Sequence, residues 1–251
     1  MRTLFIAVAA VVVLLIVAFV VWHRRVTAQR AAALESVARG IRELRLRASR
    51  PVPMHAVSEH AGRIPAEFPA ITEDLRNEGF RILGDVEEHD FDGRLAGRLR
   101  WFTSADTRIY GWFGIAHGSP VMLLLSEDAG GGFVATIRSP HSPGPVVPST
   151  VRELRIRWEE GLGEAIAGHR AALQTMSAPM GVADLDGALA SLRRLKEHVG
   201  AWRARQDPET LLEADVRNIV GDQFDDLGPT LVALVQLLET IHAEMDGPVH
   251  A

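Results

Sequence analysis

Residues 80–87 (FRILGDVE), 94–101 (RLAGRLRW) and 108–115 (RIYGWFGI) decide the fold, because each alternates with a period of two. That period belongs to a strand with one face inward. Phe80, Ile82, Gly84 and Val86 alternate with Arg81, Leu83, Asp85 and Glu87. Leu95, Gly97, Leu99 and Trp101 alternate with Arg94, Ala96, Arg98 and Arg100, and Ile109, Phe113 and Ile115 with Arg108, Tyr110 and Trp112. Residues 120–126 are more continuously apolar, as in a central strand, and Phe133, Ala135 and Ile137 form a fifth run. Turn chemistry separates the runs at Asp92-Gly93, Ala105-Asp106, Gly118-Ser119 and Gly130 to Gly132. The pattern predicts a five-stranded antiparallel meander in an α+β domain over 66–176.

Upstream, Ala66 to Asn77 reads as a helix that Gly79 stops, and residues 51–65 read as a linker entered through Pro51 and Pro53. Ala28 to Arg47 is helical, with Leu34, Val37, Ile41 and Leu44 at heptad spacing over two heptads. The N-terminal run Leu4 to Trp22 holds no charge, proline or glycine. It is long enough for a single transmembrane helix, so residues 1–25 are expected to be a signal-anchor and 26–50 a basic juxtamembrane helix. The excess of basic residues after the run places the body on the cytoplasmic side of a plasma or inner membrane. Downstream, the four prolines of residues 139–148 interrupt regular structure, and Val151 to Thr175 reads as helix. Residues 177–251 form a helical segment: Leu185 to Trp202, a helix capped by Asp207 with Pro208 in its first turn, and a last helix set off by Gly228-Pro229.

Charge is divided along the chain. Residues 1–50 carry nine Arg and two Glu, which leaves 18 basic and 30 acidic residues for 51–251. The basic collar, Arg24, Arg25 and Arg30 foremost, suits the lipid bilayer and its anionic headgroups. The acidic body argues against nucleic acid as a partner. The absence of cysteine excludes disulfides, thiolate nucleophiles and Cys-ligated metals. Lys196 is the one lysine, placed by its helical pattern on an exposed face.

Catalytic spacings fail one by one. His55, Glu59 and His60 stand one residue too far apart for the H-x-x-E-H zinc pattern. Glu88, Asp90, Asp92 and Gly93 begin like a calcium loop, but Leu99 occupies the position that needs a bidentate Glu. Gly161, Gly163 and Gly168 miss a phosphate-binding glycine motif, and His117 beside Ser119 lacks an orienting acid. No metal or other cofactor is implied. What remains is an arginine-rich strand face: Arg81, Arg94, Arg98, Arg100, Arg108 and Arg138, with Tyr110 and Trp112. Such a face binds phosphate, acidic peptides or anionic lipid, unless Asp85, Glu87 and Glu88 pair with it or the C-terminal helices cover it.

The function expected from the sequence is that of a single-pass membrane-anchored, non-catalytic binding or scaffold module, with an unidentified protein partner. The alternatives are a membrane-anchored hydrolase or metal-dependent enzyme using His55, Glu59, His60 or His117, and a structural protein that forms a homodimer through Leu34, Val37, Ile41 and Leu44.

Overall fold

A computed structural model describes residues 2–57, 68–89, 93–116, 119–140 and 144–245, with side chains from residue 22 onward, Ala116 excepted. The elements in order are α1 (Arg2–Ser49), β1 (Met54–Val57), α2 (Phe68–Asn77), β2 (Phe80–His89), β3 (Leu95–Ser104), β4 (Tyr110–Ala116), β5 (Ser119–Glu127), β6 (Phe133–Ser139), β7 (Val151–Arg157), α3 (Leu162–Leu173), α4 (Leu185–Arg203), α5 (Pro208–Val220) and α6 (Phe224–Met245). The chain divides into two compact units, one running to Glu43 and resuming at Asp222, the other Leu44–Gly221.

The class is α+β, but the sheet has seven strands in the order β1-β2-β3-β4-β5-β6-β7 and is mixed. This corrects the expected five-stranded antiparallel meander. Within the presumed linker, Met54–Val57 pairs antiparallel with Val86 and its neighbours to add β1. Within the presumed helix, VRELRIR pairs parallel with β6 to add β7, and the helical run begins only at Leu162. Leu154 and Ile156 alternate with Glu153, Arg155 and Arg157, a short period of two that the longer helical pattern downstream masked.

The expected architecture is corrected at the N-terminus as well. One unbroken 48-residue helix, α1, covers both the expected anchor and the juxtamembrane segment. Among the described residues no helix is long and apolar enough to cross a membrane, and the side chains of Leu4 to Val21 lie outside them. No described helix is thus a candidate for the expected single transmembrane helix. Arg24, Arg25 and Arg30 are exposed on α1. In the unit that holds most of α1 and α6, Ala38, Ile41, Leu231 and Val235 are buried, while Val37 is 47% exposed. The buried stripe is thus shifted from the heptad seam. At the C-terminus α6 runs through Pro229, and the break falls at Gly221, whose φ of 55° suits glycine.

In the Leu44–Gly221 unit the sheet is covered on both faces, and two cores result. One joins Val86, Leu99, Trp101, Tyr110, Leu123, Leu125 and Phe133 to Ala188, Leu192, Leu195 and Val199 of α4. The other joins Phe80, Phe102, Ile109, Phe113, Met122 and Leu124 to Phe68 and Leu75 of α2 and Ala165 and Ile166 of α3. Each fully buried aliphatic or aromatic side chain stabilises the fold by roughly 1.5–3 kcal/mol. A register shift between Ile82 and Gly84 flips the facing of β2, so Phe80 and Val86 serve opposite cores. Strands β2 and β3 thus look one-sided in sequence while feeding both sides.

Two buried polar clusters fasten this unit. Asp215 of α5 accepts from Arg45 Nε at 2.8 Å, Arg203 Nη1 at 3.1 Å, Arg203 Nη2 and the Val146 amide at 2.9 Å. It thereby ties the end of α1, the proline loop, α4 and α5 together. Glu127 accepts from Arg194 and Ser191, whose hydroxyl also bonds the Tyr110 phenol.

Candidate functional site

The arginine-rich face does not form as one surface. Cross-strand register pairs Arg100 with Phe113 and Trp101 with Trp112, which puts Arg100 and Trp112 on opposite sides of the sheet. Arg100 grips Asp85 with both arms at 2.7 and 2.8 Å, reaches Thr72 and lies 5.6 Å from the centre of the Phe68 ring. The Asp85 hydrogen bond raises the Arg100 pKa against the cost of burial. Arg138 stacks 4.3 Å over Trp158 and donates to the Glu160 and Trp158 carbonyls. Arg81 donates to the Ala183 carbonyl, and Arg98 faces Glu87 at 3.9 Å. Tyr110 is fully buried and Trp112 half-buried, both on the side of the sheet that carries the α4 core. Arg94 and Arg108 are exposed at strand ends.

The enzyme-like groupings that do form are internal. Ser126 meets His169 Nε2 at 3.0 Å, and Thr136 meets its Nδ1 at 2.8 Å. A serine beside a histidine resembles a nucleophile and its base. The third member is a threonine, however, and all three side chains are fully buried, so substrate has no access. Burial pulls His169 down to about 4 and keeps it neutral. Burial works against the ionisation of Glu127, yet Arg194 and Ser191 hold its pKa below the ordinary value, and burial raises Tyr110. These contacts stabilise a core.

His55 is exposed on β1, with its ring centroid 5.2 Å from that of His89. Glu59, His60, Asp90, Asp92 and His117 lie outside the described residues. Among the described residues no three His, Asp or Glu side chains converge as metal ligands, and Glu88 is bound instead to Arg47 at 2.9 Å.

The open concavity of this unit lies where β1 meets α4. Pro51, Val52, Pro53, Met54 and His55 form one wall, and Leu189, Leu192, Arg193 and Lys196 the other, around about 330 Å³. The helix residues are spaced i, i+3, i+4 and i+7 and so share one face. β1 is the edge of the sheet, bonded only to β2 among the described residues. The His89 amide bonds the Pro53 carbonyl, so 53/89, 55/87 and 57/85 are the hydrogen-bonded pairs. The N–H and C=O groups of Met54 and Ala56 then point away from the sheet.

Lys196 closes one end. It is half-buried where the sequence suggested exposure, and its ammonium donates to the Arg47 carbonyl at 2.8 Å. Desolvation pulls its pKa to about 8, helped by the Arg47 charge and opposed by Glu88 and Glu153. The sequence concealed this site because residues 51–57 carry two prolines and only four strand residues. The available sign was the i, i+3, i+4, i+7 spacing ending on the sole lysine.

Comparison with known proteins adds no family to this geometry: no family model matches the chain, and neither a curated protein nor a solved structure does.

Proposed function

We propose that this chain is a non-catalytic binding module that takes an extended segment of a partner protein alongside β1. The observation that carries the reading is the edge of β1, unpaired among the described residues, beside the apolar wall of α4. An added strand bonds to the outward groups of Met54 and Ala56, and its side chains reach Leu189 and Leu192. Strand addition gains affinity from main-chain bonds and specificity from alternate side chains. Edge strands that serve no such purpose are usually short, charged or covered. β1 is short but apolar at Met54 and Val57, and its outward groups stand beside a concave surface.

The test is Ala56→Pro, which removes an outward N–H and leaves the hydrogen-bonded pairs with β2 intact. The full chain is screened against a synthetic library of short extended peptides with free C-termini. Peptides enriched on the wild type and lost on the folded variant support strand addition. Enrichment that survives the substitution, or none on the wild type, refutes it.

A further inference from the structure

The cleft has a direction and a charge, and together they select one end of a peptide. Its wall between Leu189 and Lys196 is roughly 10 Å long at about 1.5 Å of rise per residue, room for about three extended residues. At the Lys196 end the chain blocks the way. The last turn of α1 lies against α4 there, with the Arg47 carbonyl on Lys196 and the Ser49 carbonyl pressed against Gly200. From that turn the backbone passes directly into Pro51 and along one wall of the cleft. A strand laid along β1 cannot continue past this point.

β1 starts at the blocked end and runs away from it. An antiparallel partner therefore arrives with its C-terminus at Lys196, and a parallel one with its N-terminus. The charge of the lining decides between them. Arg193 and Lys196 line the cleft and no Asp or Glu among the described residues does, although the body of the protein is strongly acidic. Glu88, whose charge acts on Lys196, is already held by Arg47. The Lys196 ammonium has one hydrogen bonded to the Arg47 carbonyl and further donors to offer.

Resting on the strand-addition reading above, we infer that the cleft recognises the C-terminal carboxylate of an antiparallel peptide, with Lys196 and Arg193 as its cations. Met54, Leu189 and Leu192 receive an apolar side chain at or next to that terminus. The arrangement captures a chain end inside a strand-addition groove. Its partner is a protein whose free, extended C-terminus ends in apolar residues.

The experiment is fluorescence anisotropy with a peptide enriched on the wild-type full chain, made as the free acid, as the C-terminal amide, and as the free acid lengthened by glycine. The free acid binds best, and the amide is weaker by about tenfold or more, the worth of a charge-assisted hydrogen bond. The glycine extension also weakens binding, because the carboxylate overshoots the blocked end. Lys196→Met abolishes the difference between acid and amide. Arg193→Ala, on an exposed side chain, reduces that difference and serves where the lysine variant fails to fold. Equal binding of acid and amide, with both lost in Ala56→Pro, overturns end recognition while strand addition stands. Binding of neither form to the wild type overturns both.

Discussion

Removing the carboxylate of Asp215 should cost more than any surface ion pair in this protein. Asp215 is fully buried and is the common acceptor for Arg45 and Arg203, whose side chains are 11% and 4% exposed. Truncation of one partner in a buried pair leaves an uncompensated charge and typically costs about 3–5 kcal/mol. Arg203 retains the Val146 carbonyl at 3.0 Å and the Ser49 hydroxyl at 3.1 Å, which places the cost of Asp215→Ala near the lower bound, about 3 kcal/mol. Urea unfolding followed by tryptophan fluorescence reads this unit, because Trp101, Trp112, Trp158 and Trp202 belong to it. With an m-value of roughly 2 kcal/mol per molar, the midpoint should fall by about 1.5 M. Asp215→Leu combined with Arg203→Met should recover only part of the loss, since it removes one buried pair but still takes the acceptor from Arg45 and the Val146 amide. A midpoint shift below about 0.5 M is what an exposed pair gives and would refute the reasoning.

Three other perturbations follow from the same contacts. The single lysine allows ¹³C reductive methylation to report Lys196 with only the chain amine beside it, and its titration should centre near pH 8. Because that pKa is lowered on folding, the cost of keeping Lys196 charged is fully present below pH 8 and is relieved as pH rises from 8 to 10.5. The stability of the wild type relative to Lys196→Met should therefore rise across that window. His169 also has a lowered pKa, so the unfolded chain takes its proton first and stability falls by about 3 kcal/mol as pH drops from 6.5 to 4. His169→Gln, which keeps bridging hydrogen bonds, should lose that slope in thermal melts at matched pH. A Cβ at Gly111 would lie 1.9 Å from the Leu123 carbonyl oxygen, so Gly111→Ala should lower stability by at least about 2 kcal/mol in urea unfolding.

Strands β2 to β6 and helices α4 and α5 were legible because their periods are clean and their punctuation strong. Asp207 accepts the Thr210 amide ahead of Pro208, as its position implied. The facing of the strands was not legible. A register shift after Ile82 changes which side of β2 is inward, and no local residue type announces it. β1 was hidden by its length, since four residues after two prolines give too few alternations to count. β7 was hidden by its neighbour, because a parallel partner reached through the loop 140–150 lacks the helical crossover that usually marks such a pair. The arginines of the sheet looked like a binding face because sequence shows charge and not pairing. Asp85, Glu87 and backbone carbonyls take up Arg100, Arg98, Arg81 and Arg138 only once register is set. Lys196 drew attention as the sole lysine, but its burial depends on the end of α1, distant in sequence.

The β1 edge itself can be watched directly. Amide hydrogen exchange of the full chain, with and without a saturating peptide enriched from the library, resolves Met54 and Ala56 from the rest of the sheet. Strong new protection at those two amides, with the Arg108 and Arg138 segments unchanged, is the result expected of strand addition. Unchanged exchange at Met54 and Ala56 while the peptide is bound would place the binding surface elsewhere and contradict the account.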